Sequence, residues 1–147
     1  MIPVALPIRQ PTNGDGPAAT ILAVDDEPAI RTMLERAMRR AGHDVVTAAS
    51  GPEAVEAVSG RDFDLLLIDH RMSGMDGIET YQRVVEARPA LAGRAVIMSG
   101  DTLNPALQEF AVASGLRMLA KPFDVTTVVT LVDEELARPG VAGQSRG

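Results

Sequence analysis

The sequence contains no cysteine, so disulfide bonds and thiolate chemistry are both excluded. It also contains no apolar stretch that approaches the length of a membrane span. Three prolines, Pro3, Pro7 and Pro11, interrupt the apolar start of the chain, which therefore lacks the continuous core of a signal peptide. Positive charge is scarce: the net charge of −6 argues against a surface that binds nucleic acid. These absences predict a cytoplasmic protein with no membrane or nucleic-acid partner.

What is present is a regular alternation of short apolar runs and amphipathic segments, in a chain whose 147 residues suit one domain. The apolar runs predict five strands, at residues 20–24, 44–48, 65–69, 95–98 and 116–120. Helices are predicted to follow them: Ser50, Asn104 and Asp124 cap the starts of three, the first of these runs through Val58, and Pro89 ends the helix after the third strand. Residues 1–18 are rich in proline, glycine and polar groups, which predicts a disordered leader. Residues 138–147 are predicted to be a flexible tail, so the domain comprises residues 19–137.

The alternation of strand and helix predicts a parallel sheet with helices on both faces. The expected fold is α/β, a flavodoxin-like (βα)5 doubly wound sheet with the strand order 2-1-3-4-5. In that order the first and third strands are neighbours, and a crevice lies outside their carboxyl ends. The uninterrupted apolar run Leu65–Ile68 agrees with this fold, because a central parallel strand is buried on both faces.

Residues with reactive or charged side chains stand at the ends of these strands. In chain order they are Asp25, Asp26, Asp69, Ser99 and Lys121. Three crowded carboxylates repel one another, and a set of oxygen ligands without histidine or cysteine favours Mg²⁺ as the neutralising cation. Beside such a cation, one carboxylate can act as a nucleophile toward a phosphoryl group. The lysine and the serine hydroxyl can then stabilise the phosphoryl oxygens.

The same residues also have purely structural interpretations. Asp25, Asp26 and Glu27 precede a predicted helix, where acids cap the first turn and compensate the helix dipole. For that triplet alone, capping and metal binding are equal alternatives. The coincidence of all the candidates at carboxyl strand ends favours the functional interpretation. The two histidines, His43 and His70, are interpreted as solvated or locally bonded.

Four segments resemble the receiver domain of two-component response regulators: ILAVDDEPAIR, DLLLIDHRMSGMDG, VIMSGD and LAKPF. They occur in the order and at the spacing of that family, and the resemblance spans roughly residues 19–137. It implies that Asp69 accepts a phosphoryl group from a histidine kinase or a histidine phosphotransfer protein. It also implies Mg²⁺ held by Asp26, Asp69 and the backbone carbonyl of Arg71, with Asp25 acting largely through water.

The resemblance further assigns roles to residues of the last two strands. Ser99 would follow the phosphoryl group on activation, Lys121 would pair with it, and the Lys121–Pro122 bond would be cis. Met118 stands three positions before the lysine, where the family commonly has an aromatic switch residue. The output surface would comprise the fourth helix, the fifth strand and the last helix, which would bind a downstream protein. A homodimer formed on phosphorylation is left open.

We therefore expect a phosphorylation-controlled signalling module that is not an enzyme, although it assists its own phosphorylation and dephosphorylation. Arg71 and Asp101 carry opposite charges on neighbouring loops and are expected to pair above Asp69. Few residues follow position 137, so the module is expected to act alone through protein contacts or to be a fragment of a hybrid kinase. The enzymatic alternative is a Mg²⁺-dependent phosphatase with an aspartyl nucleophile, which the adjacent acids Asp25 and Asp26 disfavour.

Overall fold

The computed structural model describes residues 18–138. The predicted leader and tail therefore lie outside the described residues, apart from one residue of each. The strands are β1 (Thr20–Val24), β2 (Asp44–Ala48), β3 (Leu65–Asp69), β4 (Ala95–Ser99) and β5 (Arg117–Ala120). The helices are α1 (Pro28–Arg40), α2 (Gly51–Gly60), α3 (Gly77–Ala87), α4 (Pro105–Ser114) and α5 (Val125–Ala137). Each strand is followed by a helix, as predicted.

The five strands form one parallel sheet in the order β2-β1-β3-β4-β5, which confirms the predicted fold class and topology. The strand β3 lies in the centre, and all five of its residues are buried. Its apolar run follows from this position, because both of its faces pack against helices. The carboxyl ends of β1 and β3 are adjacent, since Val24 pairs with Ile68.

Alternating side chains divide the core into two layers on opposite faces of the sheet. One layer contains Leu65, Leu67 and Met98 and packs against α1 and α5. The other contains Leu66, Ile68 and Ile97 and packs against α2, α3 and α4. The two layers account for the two sets of apolar stripes on the helices, because each helix buries one face only. Among residues 18–138, no helix has the length and apolar content needed to cross a membrane.

Short polar side chains begin four of the five helices. The capping residues, each of which accepts a hydrogen bond from a backbone N–H of the first turn, are Ser50, Asp76, Asn104 and Asp124. These bonds satisfy donors that have no partner within the helix. The helix α4 ends at Gly115, whose φ of 71° lies in the left-handed region that glycine adopts without a steric penalty.

The element boundaries differ slightly from those predicted. The strand β4 includes Ser99, and α2 continues to Gly60 rather than ending at Val58. A short 3₁₀ helix, Pro89–Leu91, follows α3 and has no counterpart in the sequence analysis. At the start of α1, Glu27 occupies the capping position but makes no side-chain cap. The structure therefore favours a role in the site, rather than capping, for the acids that precede α1.

Candidate functional site

An open cleft lies at the carboxyl edge of the sheet, between the loops that follow β1, β3, β4 and β5. The residues that line it are Asp26, Glu27, Asp69, Arg71, Ser99, Gly100, Asp101 and Lys121. Five residues were singled out as strand-end candidates from the sequence, and four of them line this cleft. The fifth, Asp25, is fully buried beneath it and bonds to Lys121. The parallel topology thus collects side chains that are up to 96 positions apart in the chain.

Three carboxylates meet in this cleft. Asp25, Asp26 and Asp69 each offer an oxygen, and these oxygens lie within 4.8 Å of one another. Asp25 and Asp69 are buried, whereas Asp26 is exposed. Burial raises the pKa of Asp69 to about 6, and the neighbouring charge of Asp25 adds to the rise while Lys121 opposes it. The cluster therefore carries more negative charge than its surroundings favour, which is the environment of a cation site.

Lys121 supplies the positive charge nearest to these acids. Its Nζ lies 2.9 Å from Asp25 Oδ2, 3.2 Å from Asp69 Oδ1 and 3.3 Å from Glu27 Oε1. Burial alone would lower the pKa of Lys121, but hydrogen bonds and charges of Asp25 and Asp69 hold it above its ordinary value. The lysine is therefore a permanent cation placed to bind an anionic group on Asp69. The Lys121–Pro122 peptide bond is cis, as expected.

Backbone contacts hold the acids of the first strand in place. The amide of Asp25 continues the sheet by donating to Ala48 O, and Asp25 Oδ1 accepts from the amide of Glu27. Arg31, on the first turn of α1, donates from Nη1 to the carbonyl of Asp25 at 2.8 Å. Two of these bonds hold the backbone of Asp25, and the bond from the amide of Glu27 orients its carboxylate. Arg31 was not singled out from the sequence, since its partner is a backbone atom.

The loop after β3 is shaped by a close backbone approach. The amide of Gly77 donates to His70 O at 2.9 Å, and a Cβ at Gly77 would lie 2.5 Å from Asp69 O. Only glycine fits there without displacing the backbone of Asp69. In the same loop the amide of Ser73 donates to Asp26 Oδ2 at 3.3 Å. The loop is thereby connected to the acids that follow β1.

Ser99 is buried at the end of β4 and contacts a histidine. Its Oγ accepts a hydrogen bond from the amide of Asp101 at 2.9 Å and lies 3.4 Å from His70 Nδ1. His70, interpreted from the sequence as solvated or locally bonded, is half-buried, and the partner of its ring is not local but 29 residues away. The strand register could have identified this contact: Asp69 is aligned with Met98, which brings His70 opposite Ser99.

The second histidine is also misinterpreted by the sequence analysis. His43 is nearly buried, and its Nδ1 accepts a hydrogen bond from the amide of Ala19, 24 residues away. It lies at the amino edge of the sheet, where β1 and β2 begin, and therefore outside the cleft. Its Nε2 is buried without a hydrogen-bond partner, 4.0 Å from Asp133 Oδ1. His43 contributes to the packing of that edge rather than to the site.

Two further expectations concern residues around the cleft. Arg71 Nη2 lies 3.7 Å from Asp101 Oδ2, so the predicted pair is present, with both side chains largely exposed. Met118 is aligned with Ile97 in the sheet and is partly buried against the layer of α2, α3 and α4. It lies on strand β5, which adjoins Ser99 through the pairing of Ser99 with Ala120. The Arg71 carbonyl as a metal ligand and the switch role of Met118 stay predictions.

The statistical model of the family described as the response regulator receiver domain matches residues 21–133. The chain therefore belongs to the response regulator receiver domain family. It is 36% identical over 115 residues to the DNA-binding transcriptional regulator NtrC of Klebsiella pneumoniae, covering 78% of this chain and 24% of NtrC. It is 34% identical over 117 residues to the transcriptional regulatory protein ZraR of Escherichia coli, covering 80% of this chain and 26% of ZraR. The chain thus spans about a quarter of these relatives.

Solved structures show the same fold. The chemotaxis protein CheY4 of Vibrio cholerae superposes with a TM-score of 0.74 at 29% identity, covering 80% of this chain and 98% of that one. The receiver domain of a sensor histidine kinase from Pseudomonas aeruginosa has a TM-score of 0.72 at 23% identity, covering 83% of this chain and 100% of that one. That structure has a magnesium ion coordinated in its active site cleft.

Proposed function

We propose that this chain is a cytoplasmic signalling module whose Asp69 accepts a phosphoryl group from a histidine kinase or a histidine phosphotransfer protein. The observation that carries the proposal is the convergence of Asp25, Asp26, Asp69 and Lys121 in one cleft of a receiver domain. A phosphoacceptor needs a carboxylate that lines a cleft, neighbouring charge of the opposite sign, and a way to relieve repulsion among its acids. Asp69 lines the cleft and Lys121 supplies the positive charge, and a bound Mg²⁺ would supply the third.

The residues of the cleft fit a magnesium ion. Mg²⁺ prefers oxygen ligands, and Asp25, Asp26 and Asp69 bring three carboxylates within 4.8 Å of one another. Asp26 and Asp69 would bind the ion together with the carbonyl of Arg71, and Asp25 would act largely through water. When bound, the ion neutralises the acids and stabilises negative charge on the phosphoryl oxygens.

The side chains of the cleft divide the remaining work. A carboxylate oxygen of Asp69 forms the new P–O bond while the P–N bond of the donor phosphohistidine breaks, and the leaving imidazole keeps the bonding electrons. Lys121, already 3.2 Å from Asp69 Oδ1, then binds an oxygen of the transferred group. The hydroxyl of Ser99 donates a hydrogen bond to another phosphoryl oxygen. The chain acts as a phosphoacceptor that assists its own phosphorylation and hydrolysis, and not as an enzyme that turns over a small substrate.

The output is a change in protein contacts. In the face formed by α4, β5 and α5, strand β5 pairs directly with Ser99. The same face carries the apolar side chain of Val112, which is 83% accessible. A downstream protein would bind this face, or two phosphorylated copies would pair through it. NtrC is described as a DNA-binding transcriptional regulator. In a longer chain of that kind, this face would contact an effector domain of the same protein.

Phosphorylation of the wild-type protein by acetyl phosphate with Mg²⁺ tests the proposal. We expect a mass increase of one phosphoryl group, lost in Asp69→Asn and retained in the control Glu56→Gln, which removes an exposed carboxylate on α2. Stoichiometric labelling of Asp69→Asn would contradict the assignment.

A turnover assay on small phosphate esters distinguishes a signalling module from a phosphatase. We expect no sustained release of phosphate.

Binding of the ion is tested separately by thermal unfolding. A ligand that binds only the folded state stabilises it by mass action, by about 1.4 kcal/mol at ten times its dissociation constant. We expect Mg²⁺ to raise the melting temperature of the wild type and to have little effect on Asp26→Asn. An equal rise in both proteins would place the ion elsewhere.

A further inference from the structure

The contact between His70 and Ser99 is determined by the sheet. The amide of His70 donates to Met98 O at 2.8 Å, and its carbonyl accepts from the amide of Gly77 at 2.9 Å. The carbonyl of Ser99 accepts from the amide of Lys121 at 2.9 Å. Backbone bonds therefore place His70, the residue after β3, beside Ser99, the last residue of β4, and the register of the two strands puts their side chains on the same face.

The hydrogen bonds around Ser99 favour one direction for this contact, in which the hydroxyl donates to His70 Nδ1. Ser99 is 1% accessible, so its hydroxyl proton needs a partner within the protein. Its oxygen already accepts from the amide of Asp101. Among the described residues, His70 Nδ1, at 3.4 Å, is the acceptor available to the hydroxyl proton. The ring then carries its own proton on Nε2.

We propose that His70 is a positioning residue that holds the Ser99 hydroxyl in its resting orientation and so opposes activation. This inference rests on the proposed function, in which Ser99 donates to a phosphoryl group on Asp69. A hydroxyl has one proton, so Ser99 cannot donate to His70 Nδ1 and to a phosphoryl oxygen at the same time. Phosphorylation must therefore break the hydrogen bond to His70. The free energy of the lost bond reduces the stabilisation of the active state relative to the resting state.

The position of Met118 increases the importance of this contact. A methionine side chain is flexible and specifies its own position poorly, so it does little to separate two states of its neighbours. A hydrogen bond from a buried hydroxyl has one preferred geometry and defines the resting state more sharply. The Ser99 hydroxyl is thus restrained by His70, which follows β3, and not by Met118 on β5.

A pair of substitutions at position 70 separates the hydrogen bond from packing. His70→Leu places a carbon where Nδ1 stands and removes the acceptor. His70→Asn places Oδ1 at the equivalent position and retains it. Each variant, and the wild type, is titrated with beryllofluoride, a phosphoryl mimic, at saturating Mg²⁺, and the half-saturating concentration is measured by the change in amide NMR signals.

We expect His70→Leu to lower the half-saturating concentration about twofold to fivefold, because a single long hydrogen bond is lost from the resting state. His70→Asn should remain near the wild type, and the affinity for Mg²⁺ alone should be equal in all three proteins. In the Ser99→Ala background the effect of His70→Leu should disappear. Equal beryllofluoride affinity of His70→Leu and the wild type, or persistence of the effect without Ser99, would overturn the inference.

Two outcomes distinguish this inference from the proposed function. If the wild type binds no beryllofluoride at all, the phosphoacceptor assignment fails, and the restraint fails with it. If the wild type binds but the variants do not differ, only the restraint fails. If His70→Leu does not fold, the wild-type protein still provides a test. ¹H–¹⁵N correlation spectra of the His70 ring are recorded at mildly alkaline pH to determine which ring nitrogen carries the proton. We expect the proton on Nε2, and a proton on Nδ1 would overturn the inference.

Discussion

At the scale of single residues, burial and two opposed charges determine the acidity of Asp69. Burial raises its pKa, the charge of Asp25 adds to the rise, and Lys121 opposes it. The sequence predicted these residues because strand ends are visible in its hydrophobic pattern. The partners of Ser99 and of Asp25, namely His70 and Arg31, were not predictable in this way. Their contacts depend on strand register and side-chain direction, which periodicity does not specify.

The Arg71–Asp101 pair leads to a prediction about the lifetime of the phosphoryl group. The two side chains line the cleft that holds Asp69, and their charged groups lie 3.7 Å apart. If the pair extends over Asp69, as expected from the sequence, it would obstruct a water molecule attacking in line. We expect Arg71→Ala to shorten the half-life of the phosphorylated protein about twofold to fivefold, since an exposed pair contributes little energy.

The half-life is measured by loss of the phosphoryl group after removal of the donor. Arg83→Ala is the matched control, because Arg83 is a similarly exposed arginine that pairs with Glu79 on α3, away from the cleft. It should leave the half-life unchanged. A half-life of Arg71→Ala equal to or longer than that of the wild type would exclude this protective role.

At the scale of elements, capping chemistry was the most informative part of the sequence. Ser50, Asn104 and Asp124 were predicted to begin helices, and each accepts the expected backbone hydrogen bond. The 3₁₀ helix Pro89–Leu91 was missed because Pro89 was interpreted only as the end of α3. One turn closed by backbone bonds, such as Ala92 N to Pro89 O, has no periodic pattern to reveal it.

The beginning of α3 is the element on which the site depends most directly. A methyl group at Gly77 would lie 2.5 Å from Asp69 O and 2.9 Å from His70 Cα, and neither backbone atom can move freely. We expect Gly77→Ala to reduce the free energy of unfolding by about 1–3 kcal/mol. Phosphorylation by acetyl phosphate should also slow, because the displaced residue carries the nucleophile.

Gly60 provides the control for this substitution. It lies at the end of α2, and a methyl group there meets no atom within 4 Å. We expect Gly60→Ala to be stabilising by about 0.5 kcal/mol, since alanine favours the helix, and to leave phosphorylation unchanged. Chemical unfolding curves measure the stability of both variants. If Gly77→Ala is as stable as the wild type, the loop moves to accommodate the methyl group with no loss in the free energy of unfolding.

Strand β5 leads to a prediction about how sharply the active and resting states differ. Met118 packs partly buried beside Ile97 and near Ser99, where a tyrosine would have a preferred rotamer in each state. We expect Met118→Tyr to leave the rate of phosphorylation within about twofold, because the residue makes no contact with the reacting group. It should, however, sharpen the amide NMR signals of α4 and β5 by reducing exchange between states.

Ser99→Ala is the comparison for Met118→Tyr, since it removes the hydroxyl that is proposed to contact the phosphoryl group. It should slow phosphorylation and also reduce the changes in the amide NMR signals that phosphorylation causes. The two variants are measured side by side, for the rate of labelling and for the NMR spectrum. Slowing of phosphorylation by Met118→Tyr to the extent caused by Ser99→Ala would place Met118 in the site and refute its role in the output.

At the scale of the whole molecule, the site connects both layers of the core. Met98, opposite Asp69, belongs to the layer of α1 and α5, whereas Ile97 and Met118 belong to the layer of α2, α3 and α4. Strand alternation therefore places Asp69 above the first layer and Ser99 above the second. In the proposed mechanism, a phosphoryl group that contacts both residues would be sensed on both faces of the sheet. The alternation of elements predicted the parallel sheet, and the strand order was predicted as the common arrangement for a domain of this size.

The opposite edge of the sheet leads to a prediction about the pH dependence of global stability. His43 is buried there, and burial lowers its pKa in the folded protein, only partly offset by Asp133 and Asp64. Protonation would also require Nδ1 to give up the hydrogen bond that it accepts from the amide of Ala19. The unfolded chain therefore binds a proton at His43 more readily than the folded chain does.

The sign of the effect follows from this difference in proton binding. Stability from neutral His43 is fully present above the pKa of an unfolded histidine, about 6.5. It is lost as the pH falls from there through the lower pKa of the folded protein. His43→Asn keeps an acceptor for the Ala19 amide but removes the titration, so we expect its free energy of unfolding to change less than that of the wild type between about pH 7.5 and pH 5.5. Chemical unfolding at several pH values measures both curves, and the carboxylates that titrate in the same range affect the two proteins equally. Parallel curves for the wild type and His43→Asn would mean that the folded protein accommodates a charged His43 at no cost.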